Sequence, residues 1–353
     1  MSSLLGASLW TLLFLPTLAR SFTVPVVIWH GLGDRHDAEG MLSLKASIED
    51  EFGGDVFVHL VKIEEDGEKD QRATFFGSAN AQVELVCSQL HSIPELVSPS
   101  LNPNLTFDAI GFSQGGQLLR AVVERCTSPK LRVRNLITVG SQHMGVNALP
   151  PCESGPNYAL CKLMSWLARS GVYSSYAQRE ILPAQYFRNE AELEKYWAAN
   201  HFLKDINNER EGDGHVESFG SADEKRNETY KENLLTLNNF VMFNFTKDQT
   251  VSPPASSFFT LPDPSAPFLP LPLARLPLYS EDYIGLKQLH ERDALWFGTC
   301  DGFHMQIDEA CWNQILSWLG PQGAKRGRSD GTWDGGRKSV MPEEERLVFQ
   351  AWK

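Results

Sequence analysis

Apolar residues occur along this chain in short runs that end in glycine-bearing turns, and these runs alternate with stretches of helical periodicity. Val24 to Trp29 reads VPVVIW, rich in β-branched residues, and gives way to His30-Gly31-Leu32-Gly33-Asp34. This predicts a buried strand feeding a glycine-rich loop. Val56 to Ile63 is a second strand candidate. Over Ala79 to Leu90, residues Val83, Val86, Cys87 and Leu90 recur at the spacing of one helix face. Phe107 to Phe112 predicts a strand that runs directly into Ser113-Gln114-Gly115-Gly116. Gln117 to Cys126 then predicts a helix, with Leu118, Leu119, Val122 and Val123 on its apolar side. Leu136 to Val139 is strand-like again and precedes Gly140-Ser141-Gln142-His143-Met144-Gly145. Strand, tight turn, helix, strand is the alternation of a mostly parallel sheet covered by helices.

The regularity stops near Pro150. From there to about Asn238 the chain is rich in Tyr, Trp, Asn and charge, with helical stretches at Tyr158–Leu167 and Glu190–Ala199. This is read as an insertion over the sheet, a lid or substrate-binding subdomain, against the plainer reading of ordinary connecting helices. Leu237 to Phe245 returns to strand character and leads into Thr246-Lys247-Asp248-Gln249-Thr250. Pro262 to Pro277 is too proline-rich for regular structure and predicts an extended segment. Within it, Phe268 to Leu278 is expected either to line a substrate groove or to form a surface loop. A helix over Glu309 to Leu319 closes the domain. The expected organisation is a leader at residues 1–19, an α/β domain at 22–320 with an insertion at about 150–238, and a polar tail at 321–353.

Composition narrows the setting. The chain has 353 residues, 42% of them hydrophobic, enough for a sizeable core, and a formal charge of -12 with no basic stripe, which argues against a nucleic-acid partner. Leu4 to Leu18 is almost wholly apolar, and Thr17-Leu18-Ala19 places small residues before Arg20. That predicts a secretory signal peptide, the run being short for a span of about 20 residues. Six cysteines and the sequons at Asn104, Asn227 and Asn244 agree with export. Six cysteines allow 15 pairings; a purely local scheme is Cys87–Cys126, Cys152–Cys161 and Cys300–Cys311. No CxxC spacing is present, which argues against a structural zinc site. Neither a metal nor a cofactor is expected.

The candidate chemistry centres on Gly111-Phe112-Ser113-Gln114-Gly115, a GxSxG match between a predicted strand and a predicted helix. There a serine projects from a sharp turn and the flanking glycines remove side-chain clashes. A serine hydroxyl is a weak nucleophile near neutral pH, so a histidine must accept its proton. In this fold the chain order is nucleophile, acid, base. His304, in a glycine-bearing turn before the last helix, is the expected base; His290, in the polar run Lys287 to Asp293, is the rival. His30 and His143 lie upstream and are candidates to line the pocket. Asp248, just beyond a late strand, is the expected acid, ahead of Asp301 and Asp293. The oxyanion donors are expected to be the backbone N–H groups of Gln114 and Leu32. Neither GxGxxG nor GxxxxGK occurs, so the loop at His30 to Asp34 is not read as a phosphate cradle.

These residues, with their neighbours, resemble the palmitoyl-protein thioesterase family of α/β-hydrolases. The blocks that carry the resemblance are VVIWHGLGD (Val26–Asp34), IGFSQGGQLLRAVVERC (Ile110–Cys126), VGSQHMGV (Val139–Val146), FLKDINNE (Phe202–Glu209), NETYKENLL (Asn227–Leu235) and GFHMQI (Gly302–Ile307). The resemblance implies Ser113 as nucleophile, Asp248 as acid and His304 as base, with Leu32 and Gln114 as oxyanion donors. It implies disulfides Cys87–Cys126 and Cys152–Cys161, whereas Cys300–Cys311 would be a departure. It implies a lysosomal, vacuolar or secreted enzyme that removes long acyl chains from S-acylated cysteines of proteins or peptides and acts on long-chain acyl thioesters, including acyl-CoA, without a membrane span in the mature chain. The rival functions are a lipase or carboxylesterase using the same triad, and a lumenal binding module on the same scaffold without catalysis.

Overall fold

A computed structural model describes residues 23–148, 171–213, 225–263, 266–271 and 273–320. The expected leader, the helix at 158–167, the Cys152–Cys161 pair and the C-terminal tail lie outside the described residues. Six strands form one sheet: β1 (Val26–Trp29), β2 (Val58–Leu60), β3 (Thr106–Phe112), β4 (Arg132–Val139), β5 (Asn239–Phe245) and β6 (Leu295–Cys300). Their spatial order is β2-β1-β3-β4-β5-β6, and every neighbouring pair is parallel. A parallel sheet needs cover on both faces, which explains why β3, β4 and β5 are buried almost throughout.

The period-two alternation of these strands divides the core in two. Val27, Trp29, Ala109, Leu136 and Met242 face one layer, with Val83 of α3 (Ala79–Ser92) and Leu118 and Val122 of α4 (Gln114–Cys126). Val26, Ile28, Ile110, Ile137 and Val241 face the other, with Met41 and Ile48 of α1 (Glu39–Glu51) and Ile315 of α7 (Glu309–Leu316). Two more helices, α2 (Gly67–Ala73) and α6 (Leu286–Glu291), lie in connections. Between β4 and β5 the chain forms a helical insertion that includes α5 (Leu193–Ala199). The chain runs from β1 outward to β2 and then returns to β3 on the other side of β1. That reversal opens a crevice at the carboxyl ends of β1 and β3, where ligands bind in open α/β sheets. The architecture is the α/β-hydrolase fold.

The insertion is tied to the helix that follows Ser113. Buried Arg120 of α4 donates to Glu124 at 2.9 Å, to the Ile206 carbonyl at 2.7 Å and to Asn207 Oδ1 at 2.8 Å. The DINN stretch therefore serves packing rather than the crevice. A disulfide joins Cys87 of α3 to Cys126 at the end of α4, with Cα atoms 5.8 Å apart. A second joins Cys300 to Cys311, with Cα atoms 5.1 Å apart, and brackets the loop that carries His304.

Two expectations change. The proline-rich segment forms a short hairpin (Pro262–Asp263 against Ala266–Pro270), and then Leu271, Leu273, Leu276 and Leu278 sink into the larger core. Those leucines fill the interior between elements and are not among the residues that line the cavity at Ser113. Asn104 and Asn227 are exposed, but Asn244 sits inside β5 with only 9% of its surface accessible, so it has no room for a glycan in the folded chain. Among the described residues no helix is long and apolar enough to cross a membrane.

Candidate active site

Ser113 stands between β3 and α4 at φ 49° and ψ -120°, a conformation L-residues rarely adopt. Its N–H donates to the Val139 carbonyl at 2.8 Å, so β4 helps hold the turn. The glycines permit the close approach: a Cβ on Gly115 would stand 2.3 Å from the Trp29 carbonyl oxygen, and one on Gly116 would strike the Ser141 hydroxyl.

His304 reaches Ser113 from the far edge of the sheet. Its Nε2 lies 2.9 Å from Ser113 Oγ, and its Nδ1 lies 2.7 Å from Asp248 Oδ2. One tautomer satisfies both contacts: Nδ1–H donates to Asp248, and Ser113 O–H donates to Nε2. Phe245 meets the imidazole edge-on, with ring centroids 5.8 Å apart, which fixes its plane. Asp248 is buried, and its other oxygen accepts from the Thr250 N–H at 2.8 Å and the Val251 N–H at 2.9 Å. The imidazole is thus placed to take the hydroxyl's proton and to share the resulting charge with a fixed carboxylate.

Gln114 is the first residue of α4, so its N–H has no acceptor within the helix and is available beside Ser113. Leu32 lines the same cavity as Ser113, and a Cβ on the adjacent Gly31 would come within 3.1 Å of Ser113 Cβ. Leu32 and Gln114 thus both lie beside Ser113. The cavity has a volume of about 490 Å³, and its lining includes Leu32, Met41, Leu44, Val146, Val251 and Ile307 around Ser113 and His304.

The other histidines and acids stand elsewhere. His290 lies on α6 with its Nδ1 2.6 Å from the Tyr279 hydroxyl. His143 is buried in the core, stacked on Phe259 at 4.7 Å, with Nε2 3.0 Å from Thr138 Oγ1; burial pushes its pKa well below the ordinary value. His30 lies behind the loop at Leu32, its Nε2 3.0 Å from Asp70, rather than in the cavity. Asp301 is exposed and pairs with Thr246 and Lys247. Asp293 precedes β6 rather than following a strand. Sequence reasoning did not find Asp70, Gln71 or Thr74, which hold the loop behind Leu32; their only signal is polar character in a short helix and at its C-terminal cap.

The sheet order, the strained serine and the Asp248–His304–Ser113 chain of hydrogen bonds define a serine-hydrolase-type enzyme of the α/β-hydrolase superfamily. The family described as palmitoyl protein thioesterase matches residues 25–304, and the chain belongs to that family. It is 37% identical over 285 residues to palmitoyl-protein thioesterase 1 of Caenorhabditis elegans, covering 80% of this chain and 87% of that one. It is 29% identical to palmitoyl-protein thioesterase 3 of Dictyostelium discoideum, over 86% of this chain and 94% of the relative. Among solved structures it is similar to a monoacylglycerol lipase of Paleococcus ferrophilus, at 14% identity and a TM-score of 0.38, over 85% of this chain and 96% of that one. The family makes this an enzyme of thioesterase or esterase type.

Proposed function

We propose that the protein hydrolyses long-chain fatty-acyl thioesters, those of S-acylated cysteines in proteins or peptides and of acyl-CoA, through an acyl-enzyme on Ser113. The observation that carries this reading is the unbroken hydrogen-bonded series from Asp248 through His304 to Ser113, opening on a cavity whose wall is in part apolar, at Leu32, Met41, Leu44, Val146, Val251 and Ile307. Ser113 Oγ attacks the thioester carbonyl as His304 Nε2 takes its proton. The oxyanion forms beside the Gln114 and Leu32 N–H groups, and the carbon–sulfur bond breaks. His304 returns the proton to the departing thiolate, then activates a water that releases the fatty acid and restores Ser113. Each methylene buried along the apolar wall is worth about 0.8 kcal/mol, so a long acyl chain can dominate binding. Family membership supports the thioester over the oxygen ester, and the printed names of the worm and slime-mould relatives support the palmitoyl group. The two disulfides and the exposed sequons at Asn104 and Asn227 support a lumenal setting, lysosomal, vacuolar or extracellular.

The test is kcat/KM for a palmitoyl thioester against the matched oxygen ester. This reading expects the thioester to be preferred at least tenfold. A reversed preference assigns the site to a lipase or carboxylesterase, and hydrolysis of neither returns the chain to a binding role.

A further inference from the structure

The oxyanion hole assigned above depends on a loop, His30 to Asp34, that follows β1. Hydrogen bonds to His30 and Gly33 of this loop come from α2 and the residue that caps it: Asp70, Gln71 and Thr74. Asp70 of α2 is fully buried. One of its oxygens accepts from His30 Nε2 at 3.0 Å, from His36 Nδ1 at 2.9 Å and from the His36 N–H at 2.9 Å. The other accepts from the Ile63 N–H at 2.7 Å and the Glu64 N–H at 3.3 Å. One carboxylate thus ties the segment after β1 to the segment after β2. Burial alone would raise its pKa, but hydrogen bonds from His30 and His36 outweigh that and hold it well below the usual carboxylate range.

Four residues on, Thr74 contacts the residue after Leu32 and the side chain of Gln114. Its hydroxyl accepts from the Gly33 N–H at 2.8 Å and donates to the Gln71 carbonyl at 2.6 Å. Its own carbonyl accepts from the Gln114 side-chain amide at 3.2 Å, and the Tyr186 hydroxyl donates to the other end of that amide at 3.1 Å. Gln71 completes the set by donating to the Gly33 carbonyl. Gly67, at the start of α2, leaves room for Asp37: a Cβ there would stand 2.3 Å from its carboxylate oxygen. So α2 and Thr74 touch the residue after Leu32 on one side and the side chain of Gln114 on the other. Neither Asp70 nor Thr74 lines the cavity.

We infer that Asp70 and Thr74 are positioning residues that set the separation of the two oxyanion donors, acting through Gly33, His30 and Gln114 without touching substrate. This rests on the acyl-transfer reading above. A misplacement of about 1 Å is enough to cost a hundredfold in rate, so a gap held by one threonine hydroxyl and one carboxylate is a sensitive place. Because the hole binds charge that exists only in the transition state, a wider gap lowers kcat and leaves ground-state binding alone.

The experiment uses Thr74→Val, Thr74→Ser and Asp70→Asn in the full chain. Thr74→Val removes only the hydroxyl, so it keeps the test decisive if Asp70→Asn fails to fold. Three quantities are read: kcat and KM on a palmitoyl thioester, the affinity of a long-chain trifluoromethyl ketone that forms a Ser113 hemiketal oxyanion, and the affinity of palmitate, which has no tetrahedral oxyanion. The expected result for Thr74→Val is a fall in kcat of about ten- to a hundredfold with KM within twofold. The ketone weakens in parallel, palmitate binds unchanged, and Thr74→Ser recovers most of the loss. Wild-type kcat in Thr74→Val, a loss carried by KM, or equal weakening of ketone and palmitate overturns the inference. If the unmodified enzyme neither hydrolyses the thioester nor forms the hemiketal, the acyl-transfer reading itself has failed, and that outcome is separate from any variant's behaviour.

Discussion

A Cβ on Gly111 would stand 2.3 Å from the α-carbon of Gly116, so the strand that ends at Ser113 and the helix that leaves it touch backbone to backbone. The serine turn depends on that contact. Gly111→Ala must push α4 off β3, at a cost of about 1–3 kcal/mol, and must move Ser113 away from His304. The expected outcome is a lowered Tm and a loss of at least tenfold in the labelling rate of Ser113 by a fluorophosphonate. Unchanged labelling would show that the turn tolerates a side chain there.

Asp248 makes its contact with His304 from a loop fixed by two backbone N–H groups, so replacing its carboxylate changes chemistry more than structure. In Asp248→Asn the amide can present N–H to Nδ1 and favours the wrong tautomer. A drop in kcat on the order of 10⁴ is expected at neutral pH, with Tm changed little, and steady-state kinetics beside a thermal melt measures both.

The Cys300–Cys311 bridge encloses the segment that carries His304. Replacing both cysteines by serine frees that loop in the unfolded chain and loosens it in the folded one. Stability should fall by about 2–4 kcal/mol, and kcat should fall with it, whereas the corresponding change at Cys87 and Cys126 should cost stability and leave kcat near normal. Denaturant titration and turnover of the two double variants separate these effects.

Two buried groups give stability a pH signature with distinct windows. His143 stays neutral in the core because burial lowers its pKa, so below about pH 6.5 the unfolded chain binds a proton that the folded chain refuses. Stability then falls as pH falls, by up to about 1.4 kcal/mol per unit. Asp70 is held below its unfolded value, so its contribution is complete above about pH 4 and is lost only at lower pH. Urea titrations at pH 5, 6 and 7 should therefore show that His143→Gln makes the stability of the chain fall less steeply toward pH 5, with His59 supplying a similar contribution that remains, whereas Asp70→Asn leaves the slope in this range unchanged.

Much of this arrangement was legible in the sequence because the central strands are buried on both faces. Val26 to Trp29, Phe107 to Phe112 and Val241 to Phe245 read as apolar runs for that reason, and the nucleophile–acid–base order pointed to Asp248 and His304. The elements that escaped notice lack that pattern. Strand β6 is only half-buried along its middle and contains Gly298, which is needed because the Phe243 ring packs where a side chain would stand. Helix α1 buries only Met41 and Ile48, too few to register as a periodic face. Helix α2 buries Gly67 and Asp70 and no apolar residue, so no hydrophobic periodicity reveals the element that holds the loop beside Ser113. The leucines at 271, 273, 276 and 278 misled in the opposite sense, since apolar residues between prolines served the core rather than the crevice.

The most direct test of the account is hydrolysis of a palmitoyl thioester by the wild-type protein and by Ser113→Ala, with intact-mass detection of the acylated chain. The wild type should turn the substrate over and show a transient palmitoyl adduct on Ser113. The variant should lose on the order of 10⁶ in kcat and carry no adduct. Activity within tenfold of wild type in Ser113→Ala, or an adduct on another residue, would contradict the assignment of Ser113 as nucleophile.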